Sequence, residues 1–355
     1  MMQFARDGRR EKMSSKNISY IQAITDTMWS EMEIDETVFV LGQDCGRYGG
    51  VFKATAWRSE KDGKPDLSKK MYDEFGPLRV LDAPLAENAI IGGAIGAALS
   101  GYRPIAEIQF MDFIDCAMGH IVNQAGTISF KTNGSWCCPI TIRTPYGGGI
   151  GGGMTHSQSN EAWFCHAGGL VVTAPSTPRD AAGLLRSCIR ADDPCVYIEH
   201  KGLYRAITGD VPDDPNFTIE LGKGKVVREG SDITLISYGA MLHKCLSVAE
   251  KLESEGASVE VIDPRTLWPM DEDLMINSAC KTGRCVVVAE SHAAYGFTSE
   301  VAARVQEGAF WNLLTPIRTI AGPDTPFPFE PGMEAAYLPS DDEIYNSCKR
   351  ALGDG

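Results

Sequence analysis

The chain is predicted to fold as two consecutive α/β domains, each built on a parallel sheet with helices on both faces. Three observations predict this. The chain has 355 residues, more than one hydrophobic core usually organises. Short apolar runs alternate with stretches of helical periodicity along most of the chain, the βαβα rhythm of parallel sheets. That rhythm lapses over 201–230, around PDDPNF, and then resumes. The expected division is an N-terminal arm over 1–17, a first domain over 18–200, a linker over 201–230 and a second domain over 231–355.

Residues 18–33 carry Ile21, Ile24, Met28 and Met32 on one helical stripe. Val38 to Leu41 make a buried strand ended by Gly42, and 43–50 turn polar at its carboxyl end, where α/β sheets bind ligands. The polar RSEKDGKPDLSKK after Trp57 looks like a surface insertion over 58–70. RVLDAPLAENAIIGGAIGAALSGYRPIAE, 79–107, reads as strand, turn, helix and strand, and the chain is organised around it. A helix over 114–129 and strands over 139–143, 170–173 and 195–199 complete the first domain. Thr177-Pro178-Arg179-Asp180 opens a helix to about Arg190 with a capping hydroxyl, proline at the first position and an acid in the first turn. The second domain alternates strands over 234–237, 259–262 and 285–290 with helices over 241–255, 271–279 and 297–307.

Composition excludes several classes. A net charge of −14 gives no basic face for nucleic acid. No apolar run reaches the ~18 residues of a membrane span. The eleven cysteines show no C-x-x-C, and most sit singly in apolar runs as small hydrophobes, so a reducing compartment is expected. MMQFARDGRREKMSSKN lacks the apolar core of a secretory signal. Asp7 and Glu11 count against a mitochondrial presequence, so the cytoplasm is the expected location, with the mitochondrial matrix as the alternative.

Glu87 is the odd residue, a lone carboxylate at the mouth of a helix that looks too apolar to face water. It either complements the positive end of the helix or is kept dry to share a proton with a ligand. The run from Gly147 to Gly153 lacks the Lys-Ser/Thr of a P-loop. It can wrap a phosphate through its N–H groups, or serve as a mobile loop that positions the residues after it. Among those is His156, placed to act as acid or base near neutral pH, against a surface or capping role. His166 reads as structural. Gly92, Gly93 and Gly96 lie within a helix and read as close packing. Phe110 and Phe113 are core residues or a stacking surface for a flat heterocycle. No H-x-x-x-H or H-E-x-x-H spacing supports a protein-built zinc site.

LGQDCGRYGGVF, APLAENAIIGGAIGAALSGYRPIAEIQFMDF, THSQSNEAWFCHAGGL, LLRSCIRADDPCVYIE and GPDTPFPF occur in this order. From about Ile18 to the end the chain resembles the β subunit of the thiamine-diphosphate-dependent 2-oxo acid dehydrogenases, the decarboxylating first component of the pyruvate and branched-chain complexes. The resemblance implies two doubly wound domains, a pyrimidine-binding domain followed by a transketolase C-terminal-like domain. It implies an α2β2 heterotetramer in which the α subunit holds the diphosphate and magnesium while this chain grips the aminopyrimidine. The Gly-Asp-Gly of the diphosphate motif occurs only as the last three residues, without its downstream Asn, so activity is expected only with an α subunit.

By the same resemblance Glu87 bonds the aminopyrimidine ring nitrogen and favours the imino tautomer, which then takes the thiazolium proton. Such a glutamate is expected to have a raised pKa. Gln109 and Phe113 line the same ring, and His156 assists acyl transfer to the lipoyl group of the acyltransferase core. Carbonyls of Ile140, Cys188, Ile189, Ala191 and Asp193 correspond to a structural potassium site. The second domain serves dimer contacts and docking of that core. One departure is Gln43, where the family commonly has Glu; an amide cannot relay a proton between paired active sites. AEIQF, HSQS-x-EA and Lys201-Gly202-Leu203-Tyr204-Arg205 favour branched-chain 2-oxo acids such as 3-methyl-2-oxobutanoate. Pyruvate or acetoin, and half of a split transketolase-like enzyme, are the alternatives.

Overall fold

The computed structural model describes residues 14–60 and 62–353. The first domain is a seven-stranded sheet in the order Thr266–Trp268, Val171–Thr173, Cys195–His200, Thr141–Tyr146, Arg103–Glu107, Val38–Gln43, Val80–Ala83. All its ladders are parallel except the first, because Thr266–Trp268 enters antiparallel from the second domain. The second sheet has five strands: Lys225–Arg228, Val259–Asp263, Ile233–Ser237, Cys285–His292 and Arg318–Gly322, with Lys225–Arg228 antiparallel at its edge. The expected parallel sheets are therefore present, each closed on one side by an antiparallel edge strand.

Three apolar layers hold these sheets. Tyr20–Ile34 and Pro178–Arg190 cover one face of the first sheet, burying Ile24, Met28, Trp29, Leu184 and Leu185. Glu87–Leu99 lies on the other face, in a layer that runs on through Ile236, Val287, Phe297 and Val301 of the second domain. Gly239–Ser254 and Asp341–Leu352 close the outer face of the second sheet. The predicted cap at Thr177 forms: its hydroxyl accepts from the Asp180 N–H at 3.1 Å. Asp341–Leu352 starts at a capping box made by Ser340 and Glu343.

Several stretches differ from expectation. The arm over 1–17 lies mostly outside the described residues. Its end is part of a strand, Ser15–Ser19, paired antiparallel with Thr208–Pro212 inside the expected linker. The insertion after Trp57 forms a small antiparallel pair, Trp57–Ser59 with Pro65–Lys70. The helix expected over 114–129 is broken into a 3₁₀ turn at Met111–Ala117 and short helices at Met118–Asn123 and Ile128–Lys131. Gly126 is the reason at one break: a Cβ there would come within 2.7 Å of the Gly168 carbonyl oxygen. Among the described residues no helix is long and apolar enough to cross a membrane.

Candidate active site

In register, Gly42 pairs with Asp82 and Glu107, and Glu107 with Arg143, so these strands end together at their carboxyl edge. The segments leaving that edge carry Asp44, Glu87, Gln109, Phe110, Phe113 and the 147–159 loop. The sheet thus gathers residues distant in sequence at the position where α/β folds hold ligands.

Glu87 is the first residue of its helix, so its carboxylate lies against the positive end of the helix dipole. It makes no side-chain hydrogen bond among the described residues and is half-buried. The helix is less enclosed than its apolar sequence suggests. Asn88, Ala89, Gly93 and Gly96 are exposed, and Leu85 just before it is 72 % exposed. The residues on this face are short, so exposing it costs little. Of the helical glycines only Gly92 packs inside this chain, against the His120 ring; a Cβ at Gly93 or Gly96 would meet nothing within 4 Å.

Across the edge, the Gln109 amide donates to the Gln43 carbonyl oxygen at 3.2 Å and reaches Asp44 at 3.5 Å. The backbone of Gln43, not its side chain, makes that contact. His156 stands edge-on to two rings, with centroids 4.5 Å from Phe110 and 5.2 Å from Phe113, and its Nδ1 is 2.9 Å from the Thr155 hydroxyl. Gln109, Phe113 and His156 are therefore brought into one neighbourhood, with Phe110 as the shared wall. His166 is exposed at the end of the Glu161–Cys165 helix.

The glycine run holds an anion from within the chain. The Gly149 and Gly151 N–H groups donate to the Glu334 carboxylate at 2.9 Å and 3.1 Å. Those donors, which offered a phosphate cradle in the sequence, are thus engaged by a carboxylate of the second domain. Phe327 packs on Gly148 and Phe329 on Gly153, where any Cβ would clash. The second domain, which shows no catalytic cluster in its sequence, supplies these braces.

Beneath the edge lies a buried ion cluster that sequence reasoning missed. Arg143 donates to both Glu199 oxygens at 2.6 and 2.9 Å and to Glu107 at 2.8 Å, and the Tyr204 hydroxyl donates to Glu199 at 2.7 Å. Burial alone would lower the Arg143 pKa, but Glu199 and Glu107 outweigh it and raise it. The signal was available: the segments 105–107, 141–146 and 195–199 each carry one charge among uncharged residues, Glu107, Arg143 and Glu199.

The carbonyls expected to hold potassium are otherwise occupied. The Arg103 guanidinium donates to the Ile189 and Ala191 oxygens at 3.2 and 2.8 Å and to Asp192 at 2.6 Å. The Ile140 oxygen accepts from the Cys195 N–H at 2.9 Å and the Cys188 oxygen from the Ala191 N–H at 3.3 Å. The Asp193 oxygen faces the Cys195 thiol at 3.5 Å. Each of these carbonyls thus faces a donor of this chain, and the Arg103 guanidinium lies on two of the five, Ile189 and Ala191.

Comparison with known proteins places the chain. The transketolase pyrimidine-binding domain matches residues 16–207 and the transketolase C-terminal domain residues 222–344. The chain is 47 % identical over 328 residues to the 2-oxoisovalerate dehydrogenase subunit beta of Bacillus subtilis, spanning 92 % of this chain and 96 % of that one. It is 42 % identical over 335 residues to the pyruvate dehydrogenase E1 component subunit beta of the same organism, spanning 94 % and 98 %. A solved split-gene transketolase, an inactive beta4 tetramer, superposes with a TM-score of 0.71 at 22 % identity, covering 95 % of this chain and 99 % of that one. The last likeness shows the fold alone.

Proposed function

Because the chain belongs to the family of 2-oxo acid dehydrogenase β subunits, built from transketolase pyrimidine-binding and C-terminal domains, we propose that it is the β subunit of a thiamine-diphosphate-dependent enzyme acting on branched-chain 2-oxo acids. The reaction releases carbon dioxide from the 2-oxo acid, joins the acyl group to one sulfur of an oxidised lipoyl group and leaves the proton on the other. The observation that carries this reading is a carboxylate without a side-chain partner among the described residues, Glu87, opening a helix at the same carboxyl edge from which the segments bearing Gln109, Phe113 and His156 leave.

These residues suit an aminopyrimidine ring. Glu87 offers an acceptor with no competing partner among the described residues, so it can hold a proton at a ring nitrogen. The Gln109 amide, fixed by the Gln43 carbonyl, positions a polar edge. Phe110 and Phe113 supply apolar surface for a flat heterocycle and hold the His156 ring in place. His156 can give or take a proton as an acyl group leaves for the lipoyl sulfur. When bound, thiamine diphosphate supplies the carbon nucleophile and the electron sink for decarboxylation.

The half-open surroundings of Glu87 and the flat exposed face of Ala89, Gly93 and Gly96 support an α subunit that completes the site and carries the diphosphate and magnesium. Higher identity to the 2-oxoisovalerate relative than to the pyruvate one, 47 % against 42 %, supports the branched-chain substrate. A pyruvate or acetoin dehydrogenase is the alternative within the family. An acyltransferase core carrying the lipoyl group would be the next partner, and the cytoplasm the location.

The test is carbon dioxide release from 3-methyl-2-oxobutanoate and from pyruvate by the chain co-expressed with its α subunit, with thiamine diphosphate and an artificial electron acceptor. Preference for the branched-chain acid supports the reading. Activity on sugar phosphates alone would favour a split transketolase. Glu87→Gln should lose about 10²–10⁴ of the rate, the worth of a positioned general acid–base, while the tetramer still assembles. Near-full turnover in that variant would remove Glu87 from the chemistry.

A further inference from the structure

The 147–159 segment is tied down by three carboxylates from three parts of the chain. Glu334 accepts from the Gly149 and Gly151 N–H groups at 2.9 and 3.1 Å. Asp112 accepts from the Gln158 N–H at 3.1 Å. Glu290 accepts from the Ser159 hydroxyl at 2.8 Å. His156 sits inside the stretch these contacts define.

Lys201, only 5 % exposed, feels the charges of Asp112, Glu290 and Glu334. Its Nζ is buried with no hydrogen-bond partner among the described residues. It lies 5.6 Å from the centroid of Phe110, a ring that also stands 4.5 Å from His156. A buried lysine is ordinarily paired, and an unpaired one is costly. The Asp112 Oδ2 and Ser157 Oγ atoms are also buried and unpartnered. Two polar groups of opposite charge are thus left unsatisfied beneath the loop.

We propose that Lys201 is a positioning residue for His156: its ammonium is the shared counter-charge of Asp112, Glu290 and Glu334, and so keeps the 147–159 segment braced. This inference rests on the function proposed for His156. A point charge on a flexible stem can serve three acids at once without a bond to any of them. The surrounding groups agree. Burial pushes the lysine down to about 8, while Asp112, Glu290 and Glu334 act to raise it. Burial pushes the Glu290 carboxyl up, but His200, Ser159 and Lys201 outweigh it and hold it below the ordinary carboxylate value. Around Glu290 stand Tyr146, Glu161, Tyr337 and His200 as further titratable groups. The His200 Nδ1 accepts from the Gly202 N–H at 3.1 Å, so its Nε2 donates to Glu290, also at 3.1 Å.

The test uses the assembled α–β holoenzyme with Lys201→Met and Lys201→Arg. Two quantities are read: hydrogen exchange at the amides of 149–158, and acylation of a lipoyl domain relative to decarboxylation with an artificial acceptor. Lys201→Met should speed exchange at Gly149, Gly151 and Gln158. It should lower the acylation-to-decarboxylation ratio by up to about 10²-fold, the cost of displacing a reacting group by ~1 Å. Lys201→Arg should restore both. In the wild type the acylation rate should fall as pH rises through about 8, where the lysine loses its proton. That limb should be missing in Lys201→Arg, whose guanidinium stays charged. Unchanged exchange in Lys201→Met, or equal loss of both activities, would overturn the proposal. If Lys201→Met does not fold, Glu334→Gln serves instead: it should speed exchange at Gly149 and Gly151, and wild-type exchange there would equally overturn it. Should the wild type decarboxylate no 2-oxo acid, the exchange measurements still decide whether Lys201 braces the loop.

Discussion

Arg143 and Lys201 are both buried cations close to the carboxyl edge of the same sheet, and each faces several carboxylates. Arg143 spends its guanidinium on Glu199 and Glu107, with Tyr204 on the outer Glu199 oxygen. The Lys201 ammonium makes no hydrogen bond among the described residues, and the acids bond to the loop instead. A planar fork with satisfied partners locks three neighbouring strands into register. A point charge without a fixed partner leaves the segment above it tied only by contacts that can be exchanged. The difference teaches where rigidity is placed: under the sheet it is absolute, and under the loop bearing His156 it is adjustable.

Removing the satisfied cation should have the largest effect. Arg143→Met leaves two buried carboxylates without their partner, and breaking such a pair costs about 3–5 kcal/mol. The urea midpoint of the assembled protein should fall accordingly, or assembly should fail. The comparison is sharpened by replacing Arg143, Glu107 and Glu199 together with apolar residues. That variant should be more stable than Arg143→Met alone, because no charge is stranded. A single variant with the wild-type midpoint would show that the cluster contributes nothing.

Asp263 is intermediate in kind, with one oxygen satisfied and one not. Its Oδ1 accepts from the Arg265 N–H at 2.8 Å, while its Oδ2 is buried without a partner among the described residues. Burial first, then the neighbouring Asp180, push its carboxyl from 3.8 up to about 7. A folded value above the unfolded one means that the native state holds the proton more tightly. The stabilisation it gives is fully present below about 3.8 and is lost as pH rises through about 7. Asp263→Asn keeps the acceptor and cannot ionise. It should match the wild type near pH 4 and exceed it at pH 8. Parallel melting curves for the two proteins would contradict the assignment.

How much of this was legible in the sequence depended on the range of the interactions. The strands and the cap at Thr177 are local, and they form where apolar runs and capping residues place them. The break near Gly126 was not legible, because the close approach between Gly126 and Gly168 is a tertiary contact that no periodicity records. Glu87 stood out because a lone charge in an apolar segment is a local anomaly. Gln109 carried no such mark and came only from family resemblance. The acids around Lys201 lie at 112, 290 and 334, so nothing short of the fold brings them together. Arg143 was overlooked for a different reason: a single charge in a strand usually signals an edge, and here three central strands satisfy one another.

Arg103 gives the smallest expected effect. Its guanidinium already binds the Ile189 and Ala191 oxygens, at 3.2 and 2.8 Å, and completes its fork on Asp192. A cation tethered to the chain has no association entropy to lose, so a free monovalent ion competes with it poorly. Replacing potassium by sodium or choline at constant ionic strength should therefore move the wild-type melting temperature by less than about 1 °C, well below the ~2–4 °C that 1 kcal/mol produces. Arg103→Ala should cost on the order of 1 kcal/mol, since its fork is partly exposed and hydrogen bonds there are discounted by water. That variant alone should then be stabilised by potassium over sodium, because its carbonyls lose their resident charge. A wild type that loses several degrees without potassium would show that the ion and the guanidinium share the site.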